Sequence, residues 1–399
     1  MYEQLRVLYA VGPENIIEAY KYWSQCQDAP SQVSVTYSSQ FYEVCNALDA
    51  KGYAIAQSNK KEFLQDGRFI LEHRPVPFSK APGLLYHLGQ LGYGFQLLAS
   101  AIRFRANVVV ASTGTTHWFV WSVLCWMGVK VIPSLHCVLW RKYASQRLGE
   151  EWGLKLSRNF FATECHAILA VSPDIAEQVS QLTAGQHRPI RIFLPSFRRA
   201  YFTSIAPSDA KRSPFRVLFA GRIEADKGVF DLLEIAKLFA IEGRQDILFD
   251  VCGKGSALES LRISAKEANI DNLFICHGYC SRLQMQKMFS HSHVFIVPTR
   301  TEFEEGFNRV VAEAILSGRP VVTSAVCPAL VYVQDAVVEV PPNDVAAYGN
   351  ALLKLYGDPE FYEQKRQACL KVQEQFYDIS QSWGVGIKSI LQDVLARCE

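Results

Sequence analysis

The chain has 399 residues, too many for one ordinary core, and reads as two domains. With 49% apolar and 20% charged residues it is a globular chain and not a disordered one. A net charge of +2 gives no general reason to expect a nucleic-acid partner.

The opening "MYEQLRVLYAVG" enters a strand-like run without the basic start, apolar middle and small-residue cleavage site of a signal peptide. Eleven cysteines, an odd number without regular spacing, read as reduced thiols and point to a cytoplasmic protein. Strands are expected at Leu5 to Val11, Val33 to Tyr37, Asn107 to Ser112, Val129 to Leu135, Ala167 to Ser172 and Ile190 to Leu194. Helices are expected between them, for example around Gln40 to Lys51 and Glu151 to Glu164. The Pro- and Gly-rich stretch from Lys60 to Gly94 has no clear period. The most apolar window, His117 to Ile132, is shorter than the ~20 residues that span a bilayer. It reads as a buried helix followed by a strand. Its three tryptophans leave a weaker alternative, a peripheral contact with the inner membrane surface.

The polar, turn-rich segment 203–214 reads as a linker between a domain at 1–202 and another at 215–379. Strands then recur at Phe215 to Gly221, Asp246 to Gly253, Asn272 to Gly278, His293 to Thr299, Pro320 to Ser324 and Ala336 to Val340. Helices are expected behind all but the last two. The fold class is α/β, with two doubly wound domains facing a cleft and ligands at the carboxyl ends of the strands. The chain ends in a stretch with helical spacing, Ser380 to Arg397.

Two constellations carry chemistry. In "FAGRIEADKG" a strand ends at Gly221, a loop carries Arg222 and Lys227, and Gly228 starts a helix. Arg supplies a planar fork of donors, Lys a point charge, and the helix start amides and positive dipole, which together suit a diphosphate. The bland alternative is two surface cations paired with Glu224 and Asp226. In "EEGFNRVVAEAILSG" a helix opens near Phe307 and Asn308, so the amides of Gly306 to Arg309 are free for an anion. Glu305 and Glu313 flank that mouth. Ionised carboxylates only accept hydrogen bonds, so their natural small-molecule partners are hydroxyls. A diphosphate with hydroxyls on both sides describes a nucleotide-sugar. The bland alternative puts Glu305 on the helix dipole and Glu313 on a solvated face. The cluster Cys276, His277 and Cys280 lacks a fourth ligand at matching spacing, so no metal is expected there.

"GRIEADKG", followed some eighty residues later by "PTRTEFEEGFNRVVAEAILSGRPVVTS", resembles the GT-B glycosyltransferases of family 4. The similarity covers roughly Phe215 to Pro342, with the glycine pair "CGKG" that contains Gly253. The resemblance implies a retaining transfer in which the departing diphosphate takes the acceptor's proton, with neither metal nor cofactor. It implies that Arg222 and Lys227 hold the diphosphate at the Gly221 loop. Glu305 would hold hydroxyls of the donor sugar, amides near Phe307 to Arg309 a phosphate, and Glu313 the ribose. The loop after "NLFICHG", with His277, would meet the base. The terminal helix, within 380–399, would cross back onto the N-terminal domain.

In the first domain the family's histidine after a central strand corresponds to His136, and its later serine to Ser172. His136 is taken as a site residue, with His117 as the competitor. Asn308 stands where the family usually has glycine, "PSFRRAYF" replaces its Asn-Gly-x-Asp turn, and "AVCPAL" its second glycine pair. The acceptor, a sugar or a lipid-linked molecule, is not identified. Arg103, Arg105, Arg141 and Lys142 could meet an acidic or lipid-linked one, with ordinary solvation as the alternative. A binding or regulatory module of the same shape without turnover is the runner-up function. The intact Arg222, Lys227, Glu305 and Glu313 favour the enzyme. A dinucleotide oxidoreductase is disfavoured because "GKGSAL" is not a full G-x-G-x-x-G.

Overall fold

The structure is a computed structural model that describes residues 4–78, 81, 83–146, 148–209 and 213–396. The first sheet contains β1 (Arg6–Val11), β2 (Lys51–Gln57), β3 (Glu62–Asp66), β4 (Phe69–Arg74), β5 (Val108–Ser112), β6 (Lys130–Leu135), β7 (Ile168–Ala170) and β8 (Ile190–Ile192), in the order β3-β4-β2-β1-β5-β6-β7-β8. Only the β3–β4 pair is antiparallel. The second sheet contains β9 (Phe215–Ala220), β10 (Ile247–Cys252), β11 (Phe274–Gly278), β12 (Val294–Val297), β13 (Val321–Ser324) and β14 (Val337–Val340). It is wholly parallel, in the order β11-β10-β9-β12-β13-β14. The two doubly wound domains expected from the alternation are therefore present.

Central strands such as β5 and β6 are buried along almost their whole length, because helices cover both faces and leave no solvated side to alternate with. Each order reverses once, between β1 and β5 in the first sheet and between β9 and β12 in the second. Loops leaving the two strands at such a reversal diverge to opposite faces and open a crevice at their carboxyl ends. That geometry brings the loop after β9 and the loop after β12 side by side.

Several local expectations are corrected. Val33 to Tyr37 forms no strand. Ser34 makes one isolated bridge to Phe197, and the Thr36 side chain accepts the Ser39 N–H (3.1 Å) as the cap of the helix Tyr37–Ala47. The capping hydroxyl overrides the β-branched composition. Lys51, expected to end a helix, instead starts β2. The unplaced stretch from Lys60 holds the β3–β4 hairpin and the start of the helix Leu84–Phe104. Helices also follow β13 and β14, at Leu330–Val333 and Val345–Gly357.

The terminal helix Trp383–Ala396 packs against Tyr37–Ala47 of the first domain, where Gly384 N–H donates to Gln40 Oε1 (2.7 Å). Further links tie the domains together. Arg282 donates to the Ala29 carbonyl (3.2 Å) and Arg309 to Ser34 Oγ (2.9 Å). Among the described residues, no helix is long and apolar enough to cross a membrane.

Candidate functional site

The loop after β9 begins at Gly221, whose φ of +153° favours glycine. It is backed by Gly253 after β10, where a Cβ would lie 1.7 Å from the Gly221 carbonyl oxygen. Only a residue without a side chain lets these two loops touch, and their contact fixes where Arg222 and Lys227 project.

Both cations gather over the Phe303 ring. Lys227 Nζ lies 3.6 Å and Arg222 Cζ 5.1 Å from its centroid. They are not paired with Glu224 and Asp226: Glu224 accepts the Ser256 N–H (2.9 Å), and Lys227 Nζ donates to Glu305 Oε2 (2.5 Å). Asn308 Nδ2 donates to the same oxygen (3.1 Å). Arg222 is exposed and forms no ion pair with a described residue.

Asn308 caps the helix Arg309–Leu316 in the left-handed region, at φ +64°. Asparagine tolerates this conformation better than most residues, which explains its place at a glycine position. The helix begins one residue later than the sequence suggested, and Phe307 is buried beneath it. The Val311 N–H is taken by the Asn308 carbonyl (3.1 Å), and the amides before it and the dipole make the mouth a site for an anion.

Glu313 lies one turn beyond Arg309 and hydrogen-bonds to no described side chain. Burial pushes its pKa up to about 7, opposed by the Arg309 cation, so the carboxyl titrates near neutrality.

The first domain approaches through His136, after β6. Gly306 packs on its carbonyl, and a Cβ there would lie 1.8 Å from the oxygen. The His136 N–H donates to Thr113 Oγ1 (3.0 Å), and its ring leans on Tyr37 with centroids 4.5 Å apart. Burial, aided by the Arg309 cation, lowers the imidazole to about 3, so the ring is neutral at ordinary pH. Trp383 Nε1–H donates to Ser134 Oγ (2.8 Å), which lies 2.9 Å from His136 Nε2. The hydroxyl keeps a second lone pair as well as its proton, so the Ser134–His136 hydrogen bond suits either tautomer of the neutral ring. Nδ1 is buried without a partner among the described residues.

The other expected residues lie apart from this cluster or behind it. His117 Nε2 faces His87 Nδ1 (3.3 Å). His277 Nε2 is held by Asp250 Oδ1 (2.7 Å), while Arg216 Nε donates to the other oxygen, Asp250 Oδ2 (2.8 Å). Ser172 is buried just after β7, with no partner for Oγ among the described residues. Arg141 pairs with Glu150 (2.6 Å) and Lys142 with Asp174 (3.8 Å), while Arg103 and Arg105 are exposed. No group of three or more metal-ligating side chains occurs among the described residues.

Sequence reasoning missed Phe303, Ser34, Tyr37 and Glu14. Glu14 follows β1 and accepts the Ser38 hydroxyl (2.5 Å). Burial raises its pKa, against the pull of Arg309. Its position directly after a central strand was the available signal.

Between the domains runs a crevice lined by Val138, Trp140 and Gln178 on one side and Phe303, Val326 and Pro328 on the other. Gln178 holds its floor by accepting the Leu139 N–H (2.7 Å) and donating to the Trp140 carbonyl (2.8 Å).

Two family models match the chain. Residues 38–195 match Glycosyltransferase Family 4, and residues 202–371 match Glycosyl transferases group 1. A D-inositol 3-phosphate glycosyltransferase from Xylanimonas cellulosilytica is 25% identical over 265 residues, 61% of this chain and 63% of that protein. The match thus spans less than two thirds of that relative's length. Sucrose-phosphate synthase from Thermosynechococcus elongatus superposes with a TM-score of 0.70 at 15% identity, over 99% of this chain and 100% of that one. The Anabaena protein HepE, solved with UDP and glucose, superposes with a TM-score of 0.65 at 14% identity, over 99% and 100% of the two chains.

Proposed function

From the premise that the chain belongs to the GT-B glycosyltransferases of the family 4 and group 1 type, we propose that it moves a sugar from a nucleotide-sugar to an acceptor hydroxyl, retaining anomeric configuration. The observation that carries this reading is the convergence of Arg222 and Lys227 on Phe303 beside the open mouth of the Arg309–Leu316 helix. Two cations and a set of free amides converging on one point suit a diphosphate.

In this reading Arg222, Lys227 and the amides near Phe307, Asn308 and Arg309 hold the diphosphate. Glu313 accepts the ribose hydroxyls. Glu305 exchanges Lys227 for the donor sugar's hydroxyls once the diphosphate takes the lysine. His136 lies over the sugar and presents its Nδ1, unpartnered among the described residues, to a hydroxyl. Gly306 gives the first domain close access to the helix mouth. The loop carrying His277 borders the base.

As the bond from the anomeric carbon to the diphosphate oxygen breaks, negative charge grows on that oxygen. Fixed cations and amides already in place stabilise it without reorganising, which is often the largest catalytic contribution. The acceptor hydroxyl attacks the same face and gives its proton to the departing diphosphate. Charge and proton are thereby accounted for with no metal or cofactor. The test is a thermal-shift screen with UDP, GDP and ADP, followed by turnover of the matching sugars and the anomeric configuration of the product. Binding of one nucleotide with retained configuration supports the reading. Absence of all binding, or an inverted product, rejects it.

A further inference from the structure

Large apolar side chains are unevenly exposed on this molecule. Of the 24 that are exposed among the described residues, 14 lie between Phe63 and Leu156, under a quarter of the chain. They concentrate on three neighbouring elements of one layer of the first domain: the helix Leu84–Phe104, the turns Trp118–Trp121 and Ser122–Trp126, and the helix Leu148–Asn159.

On the first helix, Leu84, Leu88, Phe95 and Ile102 fall within an arc of about 40° at 3.6 residues per turn. They form a stripe about 27 Å long, at 1.5 Å per residue. Leu84 is 74% and Phe95 60% exposed, so the stripe is open and not merely grazed by solvent. The opposite face, with Tyr93, Leu97 and Ala101, is buried. Beside it Trp126 is 74% exposed with Met127, and Trp152 is 67% exposed with Leu156. Monomers rarely leave a contiguous apolar face of this extent to water.

The charges around this face are mainly cationic, with Glu164, which accepts the Trp126 indole N–H (3.2 Å), as an acidic exception. The helix Leu84–Phe104 contains no acid. Arg103, Arg105 and Lys61 are exposed around it and form no ion pair with a described residue. On the third element, Arg158 accompanies Trp152 and Leu156, while Glu151 is neutralised by Lys155 (2.7 Å). Aromatic and aliphatic side chains rimmed by cations, on helices too short or too polar to span, suit the headgroup region of an anionic bilayer.

The face also adjoins the reaction cleft. Thr116, in the loop after β5, donates to the Gln90 carbonyl (2.8 Å) near the start of the long helix. Tyr86, in its first turn, feels the charge of Glu304 from the second domain. A surface seated on lipid here would hold the cleft mouth at the headgroups.

We propose that the first domain docks on an anionic lipid bilayer through this face, and that the acceptor is therefore lipid-linked. The docking stands on the surface alone. The acceptor class rests on the proposed transferase activity.

The test is co-sedimentation of the whole chain with phosphatidylcholine vesicles and with vesicles carrying about a third phosphatidylglycerol. The expected result is binding to the anionic vesicles, weakened by salt and reduced at least tenfold in Leu88→Glu/Phe95→Glu. Thermal-shift binding of nucleotide by that variant shows that it remains folded. No binding to anionic vesicles, or equal binding by the folded variant, overturns the proposal. So does a concentration-dependent dimer in sedimentation velocity that the same variant dissolves, because the face would then belong to a second copy. A chain that binds vesicles but no nucleotide refutes the transferase reading and leaves the docking in place. The acceptor assignment falls if nucleotide-sugar turnover is the same with and without acceptor lipids extracted from membranes into the vesicles.

Discussion

Gly306 packs directly on the carbonyl of His136, so the helix mouth of one domain closes on the post-β6 loop of the other with no room for a methyl group. Both sides of that contact are backbone and cannot swing away as a side chain would. Gly306→Ala is expected to lower turnover at least tenfold, about 1.4 kcal/mol in barrier, by separating the sugar-facing residues from the phosphate mouth. Circular dichroism should be unchanged, because each domain keeps its own core. Wild-type turnover in this variant would show that the close junction has no catalytic role.

Lys227 and Glu305 form a largely buried ion pair (2.5 Å). Glu305→Gln should therefore raise the affinity for a nucleoside diphosphate a few-fold while lowering turnover of its sugar at least tenfold. Titration calorimetry and steady-state kinetics measure the two effects separately. A fall in both would mean that Glu305 supports the phosphate site rather than the sugar.

His136→Ala should lose turnover and keep nucleotide binding, whereas His117→Ala should leave both near wild type. The chain Trp383–Ser134–His136 makes the terminal helix a positioning element for the imidazole. Trp383→Phe and Ser134→Ala are expected to lower kcat with little change in donor KM, and the double variant to lose no more than the worse single one. Additive losses would separate the helix from the histidine.

Glu313 has its pKa raised to about 7 by burial. Its ionised form accepts from two ribose hydroxyls, while the protonated form has lost one of those acceptors. Nucleotide-sugar affinity should therefore rise from pH 6 to pH 8. UDP-glucose is a suitable probe because its diester phosphates do not titrate in that range. The sign for folding is opposite: a carboxyl with a raised folded pKa binds more protons folded than unfolded, so its effect on stability worsens as pH rises from the unfolded value towards 7 and beyond. Glu313→Gln should flatten the affinity profile and weaken binding at pH 8. An equally steep profile in that variant would assign the titration elsewhere.

The second domain was the more legible half, because its motif residues are near one another in sequence and follow strands with a regular period. Arg222, Lys227 and Glu305 were found this way, and Asn308 stood out even before its left-handed backbone explained it. Phe303 was not found, since an aromatic between acids carries no signal until the loop folds it beneath two cations. Contacts made across long separations were equally hidden. Arg309 with Ser34 and Trp383 with Ser134 are joined only by the tertiary fold. Near the N-terminus, the run Val33 to Tyr37 has the β-branched composition of a strand, but the Thr36 cap makes it the start of a helix. His277 had the expected place after its strand, but its partner Asp250 lies on the neighbouring strand and could not be paired with it from sequence.

The central claim, that Arg222 and Lys227 hold the diphosphate of a nucleotide, is tested most directly by calorimetric titration of UDP, GDP and ADP into the wild-type chain and into Arg222→Ala/Lys227→Ala. The account predicts that at least one nucleotide binds the wild type and that the double variant binds it about a hundredfold more weakly, roughly 2.7 kcal/mol. Equal affinity in the two proteins, or no binding of any nucleotide to the wild type, would contradict it.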